Sequence, residues 1–288
     1  MNSTLTQLTQ LNQPVQYILT PLFMDEPRPE MRVLAQPDWE INAPNVRGAD
    51  MLARLSSIHK PLADRVSRAA IAGKRPISVG YDCCNAIAVL AGLQRAGLDP
   101  VLVWLDAHGD FNTFETSPSG YIFGMPLAMM CGAGDQRLMR AVSARPIPAR
   151  DVYLFDGRDL DPAERDLIVK HEVNWVRDHN KMIVSLPANR PIWVHFDTDV
   201  LDPSDSPAML YLVPGGPSLS SMVDLARGLA HTQRVIAVSM TTWTVDKDED
   251  KRSETACMKV LDALLNSAAS DLGTASNLGA LEADDEPL

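Results

Sequence analysis

Residues 192–203 read Ile-Trp-Val-His-Phe-Asp-Thr-Asp-Val-Leu-Asp-Pro, an apolar run followed directly by acidic side chains. Residues 101–110 repeat this arrangement as Val-Leu-Val-Trp-Leu-Asp-Ala-His-Gly-Asp. Nearly continuous apolar runs of this length are typical of parallel strands that are covered on both faces. We therefore expect two central strands of an α/β fold, with functional side chains at their carboxyl ends.

The rest of the chain alternates short apolar runs with helical patterns. This alternation predicts a three-layer α/β/α sandwich with a mostly parallel sheet. The pattern predicts strands at Ile77–Val79, Val101–Leu105, Val152–Phe155, Ile192–Phe196 and Val235–Met240. It predicts helices at Asn85–Ala96, Pro162–His171, Ser218–Leu229 and Ser253–Leu265.

The two ends of the chain differ from its middle in composition. Residues 1–14 are rich in Ser, Thr, Gln and Asn, and we expect a flexible arm there. Residues 267–288 are acidic and contain no Lys or Arg, which predicts a disordered tail. No Gly/Ser-rich linker or internal repeat interrupts residues 15–266, so this stretch is predicted to form one α/β domain.

The composition excludes several classes of function. The 288 residues include 26 Lys and Arg against 37 Asp and Glu, a net charge of −11. This balance argues against binding to nucleic acid or to anionic membranes. The apolar runs are far shorter than the ~20 residues of a membrane-spanning helix. Residues 1–16 do not resemble a secretory signal, and 4 cysteines make no disulfide framework. We therefore expect a cytoplasmic protein.

The acidic side chains have a spacing that suits metal ions. Asp106, His108 and Asp110 are two residues apart, as are Asp197 and Asp199, so each group faces one side of an extended chain. Carboxylates beside buried strands are costly without a countercharge. Bridging carboxylates and one imidazole suit two divalent cations roughly 4 Å apart. The alternative interpretation is that these residues are ordinary solvated loop residues.

Three segments resemble the signatures of the arginase–agmatinase, or ureohydrolase, superfamily. Asp-Ala-His-Gly-Asp at 106–110 and Phe-Asp-Thr-Asp-Val-Leu-Asp-Pro at 196–203 are similar to two of its motifs. Gly-Tyr-Asp-Cys-Cys at 80–84 is similar to a third, Gly-Gly-Asp-His-Ser. The resemblance covers residues 17–265 and implies an eight-stranded parallel sheet with a binuclear manganese centre.

The resemblance also implies a role for each matching residue. Asp106 and Asp197 would bridge two metal ions and hold a hydroxide between them. Asp110 and the residue at position 83 would complete one metal position, and His108 and Asp199 would complete the other. The hydroxide would attack the carbon of a guanidino group, and an amine would leave.

Position 83 departs from the family pattern, because Cys83 stands where the family has a His. A thiolate is a competent metal ligand, so coordination can survive this change. We therefore expect two divalent cations, manganese first, with zinc, iron, cobalt or nickel as alternatives that the softer sulfur would favour. The other interpretation is a buried inert cysteine beside a site that has lost a ligand.

Two further positions argue against plain arginine as the substrate. Phe123 lies where the family's active-site loop has a proton-transferring His, and Thr242 lies about where a late strand has a Glu that holds the guanidinium. Asn112 and Ser119 nevertheless match positions that contact the substrate carboxylate in arginases. Asp161 resembles the acid that binds the α-amino group. These three are equally typical of ordinary loops and of a helix start.

An N-hydroxyguanidine would reconcile these features, because it is less basic than a guanidinium and can enter uncharged. The combination resembles the Nω-hydroxyarginine amidinohydrolases, which release ornithine and hydroxyurea. Other guanidines, such as agmatine or guanidinobutyrate, are alternative substrates. A second alternative is a non-catalytic subunit that assembles with a catalytic paralogue. The resemblance otherwise implies a homo-oligomer.

His195 lies two residues before Asp197 and shares its face of the strand. It is predicted either to support a bridging carboxylate through a hydrogen bond or to be a satisfied core residue. Trp104 and Trp193 are interpreted as core residues.

Overall fold

The computed structural model describes residues 13–232, 234–241 and 243–266. The strands in these ranges are β1 (Val15–Leu19), β2 (Leu22–Phe23), β3 (Glu26–Pro27), β4 (Glu40–Ile41), β5 (Arg75–Gly80), β6 (Val101–Asp106), β7 (Val152–Asp156), β8 (Asn174–Val176), β9 (Ile192–Phe196) and β10 (Val235–Thr241). The α-helices are α1 (Met51–Ile71), α2 (Asn85–Arg95), α3 (Pro126–Met130), α4 (Arg137–Ala141), α5 (Pro162–Lys170), α6 (His179–Ser185), α7 (Leu219–His231) and α8 (Arg252–Leu265). Short 3₁₀ turns lie at Pro29–Leu34, Ile122–Gly124, Ala149–Asp151, Thr198–Val200 and Val245–Lys247.

Eight strands form one sheet in the order β4-β1-β5-β10-β9-β6-β7-β8. The pairings found between these strands are all parallel. Strands β2 and β3 form a separate antiparallel ribbon. The predicted eight-stranded parallel sheet is therefore confirmed.

Helices cover both faces of the sheet, and alternate residues of β6 show how. Trp104 points into a core that it shares with residues of α1 and α2. Leu105 points into a second core that it shares with residues of α7 and α8. Both side chains are fully buried. The continuous apolar character of the strand thus follows from two covered faces, and the three-layer architecture is confirmed.

The strands and helices predicted from the sequence are all present, with ends that differ by a few residues. The Ser218 hydroxyl accepts a hydrogen bond from the Ser221 N–H at the start of α7, as expected for a capping residue. Helix α1 was not predicted. Pro61 lies in its interior, where proline usually breaks a helix, yet burial of one face maintains it.

The predicted chain ends fall largely outside this description. Residues 1–12 of the arm and all of the acidic tail at 267–288 are not among the described residues. The flexible arm, the tail and the single domain over 15–266 stay predictions. Within the described ranges, we find no helix with the length and hydropathy needed to cross a lipid bilayer.

His59 gives the fold a dependence on pH. It lies in α1 with 1% of its surface exposed, and burial lowers the pKa of its imidazole from 6.5 to about 4. As the pH falls from 6.5 to 4, the His59 imidazole becomes protonated in the unfolded chain but stays neutral in the folded chain. The stability should therefore fall by about 3 kcal/mol through this range.

We expect His59→Gln to remove this part of the acid sensitivity. The measurement is urea unfolding of the wild type and the variant at neutral pH and near the folded-state pKa. His231→Gln is the matched control, because His231 is exposed on α7. An equal loss of stability at acid pH in the wild type and in His59→Gln would contradict this role of His59.

Candidate metal centre and active site

Four adjacent strands carry the predicted site at their carboxyl ends. Cys83 follows β5, Asp106 ends β6 and Asp197 follows β9, while β10 lies between β5 and β9. The Asp197 N–H donates to the Leu105 carbonyl at 2.8 Å, so the parallel ladder continues up to the acidic residues. The sheet thus brings together segments that are more than a hundred residues apart, at the edge where parallel sheets place their sites.

Two groups of side chains could each hold a metal ion. Ligand atoms of Cys83, Asp106 and Asp110 all lie within 4.8 Å of one another. Ligand atoms of Asp106, His108 and Asp199 meet the same condition. Asp106 belongs to both groups, as expected for a residue between two ions. The sixth predicted ligand, Asp197, lies beside them, because the Cys83 thiol donates to its Oδ2 at 2.9 Å.

Backbone and indole N–H groups fix the orientation of the carboxylates. Asp106 accepts from the His108 N–H at 2.7 Å and from Trp104 Nε1 at 2.8 Å. Asp197 accepts from the Asp199 N–H at 3.0 Å. The Asp199 carboxylate in turn accepts from the Ala107 N–H at 3.2 Å. The carboxylates are therefore held ready for a cation by donors that belong to the fold.

Asp110 is the least satisfied member of the set. Its backbone φ of 49° lies in the left-handed region, and its carbonyl accepts from the Leu127 and Ala128 N–H groups of α3. Its Oδ2 is buried, and none of the described residues donates to it. A buried carboxylate oxygen without a donor is expensive, so Asp110 fits a position that a cation would complete.

The electrostatics of the site favour bound positive charge. Burial, reinforced by the neighbouring carboxylates, raises the pKa of Asp106 to about 6. The same causes raise the pKa values of Asp110 and Asp197 well above their usual range. Burial and these charges also raise the pKa of the Cys83 thiol. Several carboxylates buried close together are unfavourable unless cations neutralise them, so this set of donors fits divalent metals.

His108 lies against two of these carboxylates. Its Nδ1 lies 2.9 Å from Asp199 Oδ2 and 3.5 Å from Asp106 Oδ1. Burial lowers its pKa, but the hydrogen bonds and charges of these two carboxylates outweigh burial and raise it to about 12. His108 therefore contacts two of the carboxylates that are predicted to hold metal ions.

A cavity of about 330 Å³ opens over these residues. Its lining includes Cys83, His108, Asp110, Asp197 and Asp199. The volume suits a small molecule of amino-acid size. Five of the six predicted ligands thus line this cavity, and Asp106 lies behind it with 1% of its surface exposed.

The wall of this cavity is aromatic around Phe123. The Phe123 ring lies 5.3 Å from Tyr121, 5.6 Å from Tyr211 and 5.7 Å from Phe23, between ring centroids. Among the described lining residues, His108 is the one histidine. Phe123 is therefore packed into an apolar wall in the loop where the family pattern has a histidine.

The residues predicted to bind an amino-acid group lie at the same cavity. Asn112 Nδ2 donates to Asp161 Oδ2 at 2.9 Å, and Ser119 is an exposed lining residue. Asp161 is also the N-cap residue of α5, and its N–H donates to Glu164. Asp161 therefore begins a helix, as the alternative interpretation predicts, and it also lines the cavity.

Thr242 lies outside the described residues, so its predicted role stays a prediction. Its neighbour Thr241 ends β10 and lines the cavity. The Thr241 hydroxyl is buried and finds no hydrogen-bond partner in the described part of the chain. It is therefore available to a ligand, and the sequence analysis did not single it out.

The sequence predicted only part of the role of Trp104 and did not indicate Glu164. Trp104 is a core residue, as predicted, but its indole also donates to Asp106. Glu164 is 3% exposed and accepts from the Phe111 and Asp161 N–H groups, and burial raises its pKa to about 7. The position of Trp104 on the same strand face as Asp106 was the available signal for the first of these.

Comparison with known proteins agrees with this geometry. The model of the Arginase family matches residues 20–266. The chain is 29% identical to the N(omega)-hydroxy-L-arginine amidinohydrolase of Streptomyces lavendulae over 83% of this chain and 81% of the relative. It is 33% identical to the arginase of Bacillus caldovelox, over 73% of this chain and 74% of the relative.

A solved structure is similar over nearly the whole fold. The crystal structure of arginase from Bacillus subtilis subsp. subtilis str. 168 aligns with a TM-score of 0.77 and 25% identity, covering 90% of this chain and 100% of that chain. The family match spans the metal-ligand candidates and every strand of the eight-stranded sheet except β1. The chain therefore belongs to the arginase family, as a metal-dependent amidinohydrolase.

Proposed function

We propose that the protein hydrolyses Nω-hydroxy-L-arginine to L-ornithine and hydroxyurea. The observation that carries this proposal is Phe123, whose phenyl ring cannot exchange a proton and is packed among Phe23, Tyr121 and Tyr211 in the wall of the cavity. An N-hydroxyguanidine is less basic than a guanidinium and can enter uncharged, so it depends less on a proton-transferring histidine at this position. The name of the Streptomyces lavendulae relative supports the same substrate.

The reaction breaks the bond between the δ-nitrogen and the hydroxyguanidino carbon. The oxygen of one water becomes the carbonyl oxygen of hydroxyurea. One proton of that water goes to the departing δ-amine of ornithine, and the other goes to the hydroxyimino nitrogen. Two divalent cations, when bound, would supply Lewis-acid charge and lower the pKa of the attacking water.

The residues of the chain divide this task between them. In the proposal, Asp106 and Asp197 would be shared by the two cations, Cys83 and Asp110 would complete one position, and His108 and Asp199 would complete the other. Their fixed hydrogen bonds hold the carboxylates in place before the substrate enters. The cations are two manganese ions or include the zinc, iron, cobalt or nickel that a thiolate accepts.

The other end of the cavity would hold the amino-acid group. Asp161 offers a carboxylate for the α-ammonium group, and it is already fixed by the Asn112 amide. Asn112 and the exposed Ser119 offer N–H and O–H donors for the substrate carboxylate. Thr242, beside the buried Thr241, remains the proposed contact near the hydroxyguanidino group.

A substrate panel tests this function. We expect the metal-loaded protein to turn over Nω-hydroxy-L-arginine faster than L-arginine, agmatine or guanidinobutyrate, with hydroxyurea and ornithine in equal amounts. Faster turnover of arginine would contradict the substrate. Preference for agmatine or guanidinobutyrate would remove the amino-acid subsite, and inactivity on all four would favour the non-catalytic subunit.

The proposal also includes a homo-oligomer in the cytoplasm. Sedimentation of the purified chain tests the first part, and a single species of monomer mass would contradict it. Fractionation of the source cells tests the second. Association only after addition of a catalytic paralogue would instead support the mixed oligomer.

Phe123 should set the preference between the two amino-acid substrates. We expect Phe123→His to raise the turnover of arginine relative to Nω-hydroxyarginine by at least about tenfold, because an imidazole can transfer protons where a phenyl ring cannot. Phe123→Leu is the matched control, since it changes the ring without adding a proton carrier. An equal ratio of the two substrates in both variants would contradict this role.

A further inference from the structure

His195 lies deep in the sheet beside the candidate metal centre. It is on β9, two residues before Asp197, and 1% of its surface is exposed. A ring nitrogen of His195, the Cys83 sulfur and a carboxylate oxygen of Asp197 all lie within 4.8 Å of one another. This third group shares Cys83 with the first group, and His195 is its one member outside the family pattern.

The imidazole is fixed on two sides. Its Nδ1 lies 2.8 Å from the Ser239 hydroxyl, which also accepts from Trp193 Nε1 at 3.0 Å. Its ring stacks on Trp104 with centroids 3.7 Å apart and planes 20° apart. The ring therefore cannot turn freely, and the nitrogen left for another partner is Nε2.

That nitrogen has no hydrogen-bond partner among the residues that the structure describes. Nε2 is buried, and no described residue makes a hydrogen bond with it. An unsatisfied buried polar atom costs about 1–3 kcal/mol. When Nδ1–H donates to Ser239, Nε2 presents a lone pair, which is the form in which imidazole binds a metal.

We propose that His195 Nε2 directly coordinates the metal ion held by Cys83. The inference rests on the metal centre of the proposed function, but it does not depend on the substrate. The Cys83 position then has sulfur, nitrogen and carboxylate donors, whereas the His108 position has one nitrogen among carboxylates. Sulfur and nitrogen favour zinc, cobalt or iron, and carboxylates suit manganese. The two positions therefore select different metals.

Competitive metal loading tests this proposal. The full chain is stripped with a chelator, incubated with about one equivalent of zinc per chain and manganese in large excess, and analysed for both elements, because zinc outcompetes manganese at most sites when the two are equal in concentration. We expect the wild type to hold one zinc and one manganese per chain. His195→Phe, which keeps a ring against Trp104, should lower the zinc affinity by at least about 100-fold, the upper end for a partner that acts through another ligand.

Two controls accompany this variant. His231→Phe changes an exposed histidine and should leave both metals in place. Ser239→Ala removes the hydrogen-bond partner of Nδ1 but keeps Nε2. It should lower the zinc affinity by roughly 10–100-fold, as expected for a residue that acts through a ligand. Unchanged zinc affinity in a folded His195→Phe protein would overturn the proposal.

A measurement on the wild type avoids any question of folding in the variants. X-ray absorption of the zinc-loaded and manganese-loaded protein counts imidazole ligands, and we expect one at each metal. A zinc ion with sulfur and no imidazole would overturn the role of His195 alone. A wild-type chain that holds no metal would overturn the metal centre of the proposed function as well.

Discussion

Replacing Asp110 by Asn should stabilise the metal-free protein and disable the metal-loaded one. Asp110 is 5% exposed, and burial together with Asp106 and Asp197 raises its pKa well above the usual range. Asn removes the unfavourable charge, and it tolerates the left-handed φ of 49° at this position. Unfolding in the presence of a chelator should then require about 1 kcal/mol more than in the wild type.

In the presence of metal, Asp110→Asn should instead be less stable than the wild type. An amide binds a divalent cation far less well than a carboxylate, so we expect metal affinity and kcat/KM each to fall by more than about 100-fold. Urea unfolding with and without metal gives both comparisons on one protein pair. Asp64→Asn, on an exposed acid, should change stability by no more than about 0.5 kcal/mol in either state. Lower stability of metal-free Asp110→Asn would contradict this account of the site.

Arg158→Met is the second variant with a large expected effect. The Arg158 side chain is 6% exposed and forms an ion pair with Asp156, which is 10% exposed. Its guanidinium also donates to the carbonyls of Asp199, Val200 and Val213, at 3.0, 3.1 and 2.7 Å. Removing it leaves a buried carboxylate and three carbonyls without their donor, which should cost about 3–5 kcal/mol.

The same change should loosen the metal position of His108. Arg158 fixes the backbone of Asp199, whose side chain contacts His108. We expect one metal per chain to be lost more readily than the other, as measured by metal content after graded dialysis. Asp156→Asn combined with Arg158→Met should recover part of the stability, because no unpaired charge then remains. Arg145→Met is the control, since its ion pair with Asp99 is exposed and worth about 1 kcal/mol at most.

The centre of the fold and the floor of the site were predictable because each depends on a local pattern. The strands at 101–106 and 192–196 are buried on both faces, so their apolar runs are continuous. Carboxylates two residues apart at the ends of such strands share a face, and parallel neighbours bring the faces together. His195 and Trp104 follow from the same spacing, although their contacts required the structure.

The rest of the site depends on contacts that leave no local pattern. The wall combines Phe23 of β2, Tyr121 and Phe123 of one loop, and Tyr211 of another, and nothing in the sequence says that these segments meet. Arg158 acts mainly on backbone carbonyls, which every residue possesses, so its partners have no signature. Edge strands such as β4 contain two residues, too few to show a period.

Trp104 gives the protein an optical reporter of its own centre. Its indole donates a hydrogen bond to Asp106, which belongs to both predicted metal positions, and stacks on His195. The emitting ring is therefore one residue away from each metal position. Paramagnetic ions such as cobalt or manganese quench a fluorophore at this range, whereas zinc does not. The chain has 5 tryptophans, so the contribution of Trp104 is the difference in emission between the wild type and Trp104→Phe, and this difference should follow the filling and exchange of the metals in real time without any attached label.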